Sequence, residues 1–107
     1  MQAETALTRN IRLAVNRTGR ARIVRNNVGV DSTRGVRYGL GNGSPDLCGA
    51  LRGGRAFCIE VKTRTGRLRP EQEAWWRSAR QWGVLGGVAR SVEEALTLLT
   101  EAEAAAS

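Results

Sequence analysis

Histidine is absent from the sequence, lysine occurs once, at Lys62, and aspartate occurs only at Asp31 and Asp46. Each scarcity removes some chemistry. Without imidazole there is no Ser-His-Asp or Cys-His nucleophile system, no His-ligated zinc and no histidine general base. Two cysteines, Cys48 and Cys58, are too few for a four-cysteine zinc site. In apolar company they read as buried, reduced packing residues, with a single disulfide as the alternative. No stretch approaches the roughly 18 apolar residues of a membrane span, and the N-terminus lacks a signal-peptide core, so a cytoplasmic protein is expected. Proton chemistry near neutral pH is left to carboxylates, a shifted lysine or metal-bound water.

What the chain has in place of histidine and lysine is arginine. Sixteen arginines and one lysine against ten acidic residues give a net charge of +7 over 107 residues. The charge is uneven. No basic residue follows Arg90, whereas Glu93, Glu94, Glu101 and Glu103 do, so residues 1–92 carry +11 and the last fifteen −4. A biased base composition would explain arginine in place of lysine, but it does not explain the surplus. Such a surplus is the footprint of a binder of phosphate backbone. The length allows one core and one domain, placed at residues 1–103, with the Ala-rich residues 104–107 expected to fray.

Periodicity predicts a helix over 3–17, carrying Leu7, Ile11, Ala14 and Val15 on one side, with Glu4 on or beside that stripe. Strands are predicted at 21–27 and 36–40. The glycine-rich stretch 39–50 reads as a loop leading into a strand, with Asp46 at the junction. Residues 56–62, AFCIEVK, give the strongest strand pattern: Phe57, Ile59 and Val61 on a core face, Cys58, Glu60 and Lys62 on the other. Pro70 opens a helix reaching about Trp82, with Glu71 and Glu73 in its first turn and the tryptophans packed in the core. A strand at 84–89 and a last helix after Ser91, with Ser91 and Glu94 as a capping box, complete the chain. The expected architecture is α/β: a small mixed central sheet flanked by helices, in the order α-β-β-β-α-β-α.

The chemistry gathers at Pro45-Asp46 and Glu60-Val61-Lys62. On adjoining strands the two carboxylates could share a cation, and an all-oxygen donor set calls for Mg²⁺ or Mn²⁺. Such an ion activates water and stabilises charge on a phosphate, while Lys62 could orient that water or balance the developing charge. An arbitrary E-x-K in a strand is ordinarily a solvated pair of opposite charges. Here the lone lysine falls in this pair and one of only two aspartates falls at the glycine-rich loop before a strand, and an ammonium differs physically from a guanidinium. Gln72 reads equally as an exposed polar residue or as a site residue. Glycines 39, 41, 43 and 49 could cradle phosphate, though a close backbone approach near Asp46 is their more ordinary use.

These residues carry a resemblance. Pro45-Asp46 with Glu60-Val61-Lys62 resembles the PD-(D/E)XK nuclease signature, and RNNVG at 25–29, YGLGNGSPDLCG at 38–49, FCIEVKTRTGRLRPEQEAWW at 57–76 and GGVARSVEEAL at 86–96 resemble its virus-type replication-repair nuclease (VRR-NUC) branch. The resemblance implies a restriction-endonuclease-like core in which Asp46, Glu60 and the Val61 carbonyl hold the metal. It further implies Lys62 as the catalytic lysine, Gln72 as the helix glutamine reaching back to the site, and Glu4 as the acidic residue of the first helix. Stand-alone members look like homodimers acting on branched DNA, four-way junctions included. Arg25, Asn27, Arg37, Arg64, Arg67 and Arg69 are then expected at the nucleic acid, with no recognition helix to read bases. The expected activity is a metal-dependent DNA endonuclease. The alternatives are a non-catalytic basic nucleic-acid-binding module and a partner-binding domain with incidental basicity.

Overall fold

Ile11 and Val15, one helical turn apart, are both fully buried and form the inner stripe of the first helix. The computed structural model describes every residue except Met1, Ser32 and Val36; the side chains of Gln2, Ala3, Glu4, Val30, Arg37 and Tyr38 also lie outside the description. In chain order the elements are α1 (Gln2–Arg17), β1 (Ala21–Arg25), β2 (Gly29–Val30), β3 (Arg37–Tyr38), β4 (Leu47–Leu51), β5 (Ala56–Val61), α2 (Pro70–Gln81), β6 (Leu85–Ala89) and α3 (Val92–Ala106). The central sheet runs β1-β4-β5-β6, antiparallel except for the parallel pair β5–β6. Strands β2 and β3 form a separate two-stranded ribbon. Without that ribbon the order is the expected α-β-β-β-α-β-α.

Alternation along a strand sends neighbouring side chains to opposite faces. Phe57, Ile59 and Val61 of β5 enter one core with Ile23, Leu47 and Ala89 of the other strands and with residues of α1 and α3. Cys48 and Cys58, opposite each other across β4–β5, point the other way and pack with Trp76 of α2. Both are free thiols; the hydrogen bond with the Cys58 sulfur, then burial, push the Cys48 thiol up, keeping it protonated. The sheet is thus covered on both faces, by α1 and α3 on one and by α2 on the other. A parallel pair needs a long crossover, and α2 is that crossover between β5 and β6. For this reason β5 is buried from Phe57 to Val61, including Glu60 on its second face.

Several boundaries differ from expectation. The first strand ends at Arg25, because Asn26 turns its amide to the glycine-rich loop. The strand expected at 36–40 is the two-residue β3 of the ribbon, and Val36 lies outside the described residues. The buried face of α2 is Gln72, Trp76 and Ala79, so Trp82 does not pack in the core: it caps the helix and is 85 % exposed. Ser91 accepts the Glu94 N–H at 3.0 Å, but the Glu94 carboxylate turns to the Arg90 N–H, leaving half a capping box. The last helix continues past Ala104 through Ala106, and the Ser107 hydroxyl donates to the Glu103 carbonyl.

Candidate active site

Asp46 stands one residue before β4, at the end of the glycine-rich loop. Asn26 holds it there. The Asn26 backbone N–H donates to the Asp46 carbonyl at 2.8 Å. Its side-chain amide donates to Ser44 Oγ at 2.7 Å and to the Pro45 carbonyl at 2.8 Å, and its carbonyl oxygen accepts the Leu40 N–H at 3.2 Å. On its other side the loop lies against the first turn of α2. Gly43, at φ +84°, is the contact: a Cβ there would sit 2.2 Å from the Glu71 carbonyl oxygen. The Asp46 carboxylate closes the arrangement, its Oδ2 accepting the Val61 N–H of β5 at 2.9 Å.

Glu60 projects from the α2 face of β5 near its carboxyl end, where open α/β sheets place their ligands. Its Oε2 accepts from Gln72 Nε2 at 3.0 Å and lies 3.5 Å from Lys62 Nζ, with only 4 % of the Glu60 side chain and 12 % of the Lys62 side chain exposed. Burial and then the Asp46 charge push the Glu60 carboxyl up to about 7, against the pull of Lys62. Gln72 is not an exposed polar residue. It is 5 % exposed, and its Oε1 accepts the Arg69 N–H at 2.8 Å, capping α2 while its amide holds Glu60.

A buried Glu60 whose proton affinity is raised by the neighbouring Asp46 charge is what a divalent cation relieves. The Val61 N–H takes Asp46 Oδ2 and the Gln72 amide takes Glu60 Oε2, so Asp46 Oδ1 and Glu60 Oε1 are the oxygens that could ligate. Among the described residues no third His, Cys, Asp or Glu joins them. Two oxygens of this kind fit a magnesium-sized ion, which keeps several waters and takes one or two carboxylates. Val61 enters through its backbone alone. Glu4 lies in the first turn of α1, and its side chain is outside the described residues.

Asp46 borders two clefts. One, a cavity of about 640 Å³ toward α2, is lined by Arg25, Asn27, Asn42, Gly43, Arg69 and Gln72 among others. The other, about 240 Å³, runs along α1 past Thr5, Thr8, Arg9 and Arg12, with Arg25 and Asn26 on its far wall. Of the six expected nucleic-acid contacts, Arg25, Asn27 and Arg69 therefore surround Asp46. Arg64 and Arg67 line a different cleft with Glu73 and Arg90, and the side chain of Arg37 lies outside the described residues. Sequence reasoning overlooked Asn26, Arg9 and Arg12. A signal existed for the arginines: positions 5, 8, 9 and 12 share the helix face beside the apolar stripe.

A family model described as VRR-NUC domain matches residues 4–93 of the chain. No curated protein and no solved structure matches it.

Proposed function

This chain belongs to the VRR-NUC domain family, whose name implies nuclease-type chemistry, and we propose that it is a metal-dependent DNA endonuclease selective for branched DNA. The observation that carries the reading is the convergence of Asp46, Glu60, Lys62 and Gln72 at the carboxyl end of β5. In this reading Asp46 and Glu60, with the Val61 carbonyl, hold Mg²⁺ or Mn²⁺, and Glu4 is the acidic residue of the first helix. When bound, the ion supplies Lewis-acid stabilisation of phosphate charge and makes the attacking water more acidic.

The remaining work falls to the chain itself. Gln72 holds Glu60 by Oε2, so Oε1 is the oxygen that would hold the metal. The Val61 N–H holds Asp46 by Oδ2, so Oδ1 would do the same there. Lys62 keeps its ammonium against Glu60 in a nearly dry site, where it can donate to the attacking water or to a phosphoryl oxygen as charge develops. The adjoining clefts, with Arg25, Asn27 and Arg69, receive the backbone on either side of the cut, and Arg64 and Arg67 extend the basic surface. Contacts of this kind favour recognition by shape rather than by sequence. A homodimer fits the exposed apolar side chains Val24, Val28 and Leu40 near edge strand β1.

The test is a substrate panel of duplex, flap, splayed arm and four-way junction with Mg²⁺, Mn²⁺ or EDTA. Cleavage is expected with either metal, fastest on a branched substrate, and absent in EDTA and in Asp46→Asn. Full activity in EDTA or in that variant would overturn the mechanism. Binding without cleavage by the wild-type protein would favour the non-catalytic module.

A further inference from the structure

The arginines divide by their hydrogen-bond partners. Arg20 is tied to Glu103, Arg34 to Asp31 and Arg69 to Glu71. Arg52, Arg55, Arg80 and Arg90 donate to main-chain carbonyls of Gly19, Gly83, Gly86 and the turn at residues 63–66. These guanidiniums brace the fold. Arg9, Arg12 and Arg25 have no such partner among the described residues, and all three line the cavity that ends at Asp46.

That placement is electrostatically odd unless something anionic enters. Arg9 and Arg12 lie three apart on one face of α1, where like charges repel. Among the described residues, three guanidiniums face one carboxylate, Asp46, whose Oδ2 is already engaged by the Val61 N–H. A concave wall bearing that surplus concentrates an attractive field for anions. The size of the recess narrows the choice. About 240 Å³ falls below the roughly 300–1,000 Å³ of sites that enclose drug-sized ligands, which suits a phosphate with part of its sugar better than a whole nucleotide. Guanidinium forks match phosphate oxygens in geometry.

We propose that this recess is a phosphate subsite, in which Arg9 and Arg12 hold the backbone phosphate next to the scissile one on the α1 side of Asp46. Arg25 is shared between this subsite and the cleft on the α2 side. The location relative to the cut rests on the nuclease reading; the anion site itself does not. A terminal phosphate offers the same chemistry as a backbone phosphate, and the test separates the two.

The full chain is titrated by fluorescence anisotropy in EDTA, so that no cutting occurs, against a circular single strand and against linear strands with and without end phosphates. The variants are Arg9→Ala/Arg12→Ala and a control, Arg22→Ala/Arg77→Ala, which removes the same charge from exposed positions outside the recess. Alanine favours the helix, so α1 is expected to persist, and circular dichroism checks it. The recess variant is expected to flatten the slope of log affinity against log salt by roughly 1.4, two contacts at about 0.7 each for single strands. The control is expected to stay near the wild-type slope. Loss on circular and linear strands alike assigns the subsite to a backbone phosphate. Loss confined to end-phosphorylated strands keeps the anion site and makes a terminal phosphate its occupant. Equal losses in both variants, or none in either, overturn the subsite. A wild-type protein that shows the recess effect but cuts no DNA would refute the nuclease reading and leave the subsite standing; one that cuts without the effect does the reverse.

Discussion

Glu60 carries a conflict that water would ordinarily dissolve: it is buried, it faces another carboxylate, and its relief comes from Lys62 and Gln72. Its pKa rises from the ordinary 4.5 to about 7. A carboxyl group whose folded pKa exceeds its unfolded value binds its proton more tightly in the native state. Stability then falls as pH rises through that window, by about 3 kcal/mol at most. No histidine titrates between pH 5 and 8 to mask the effect. Urea unfolding of the metal-free protein is therefore expected to show lower stability at pH 7.5 than at pH 5, and Glu60→Gln is expected to flatten the difference. A flat wild-type profile, or an unchanged slope in the variant, contradicts the burial argument. The candidate residues could be picked out of the sequence, because its single lysine falls beside Glu60 on one strand pattern and one of its two aspartates at the glycine-rich loop before another. The hydrogen bond from Gln72 was not, since it depends on where α2 returns over β5.

The glycine-rich loop holds Asp46 only because it can touch α2. At Gly43 both the φ of +84° and the 2.2 Å approach to the Glu71 carbonyl exclude a side chain. Gly41 also has positive φ, +103°, but nothing lies within 4 Å of its would-be Cβ. Alanine at either position is expected to cost about 1–3 kcal/mol in backbone strain. Gly43→Ala alone is expected to lift the loop from α2 and so lose DNA cleavage. Thermal melts with cleavage assays on both variants check this; equal activity in the two would show that the contact does not position Asp46. Strand β5 was legible from its alternation, yet that alternation suggested one wet face. The parallel crossover buries both, and nothing in the local pattern of residues 56–62 shows it. For α2 the periodicity put Trp75, Ala79 and Trp82 on one face. The helix instead buries Trp76 with Gln72 and Ala79, and Trp82, at the cap, is left in solvent.

Across the whole molecule, a sheet covered on both faces brings the end of β5, the start of β4 and the first turns of α1 and α2 to one edge. The charge surplus of residues 1–92 includes arginines that brace the fold and arginines that line the clefts beside Asp46, with Arg69 doing both. Composition could show the surplus but not that division, because the partners of each guanidinium are set by tertiary contacts. The lone lysine, first notable as a scarcity, is the charge closest to the carboxylate pair. The most direct test of the proposed role of Lys62 is the single-turnover rate of four-way-junction cleavage in Mg²⁺ by the wild type and by Lys62→Met. Metal-dependent cleavage is expected to fall about a hundredfold or more in the variant, with junction binding retained; equal rates in the two proteins would contradict that role.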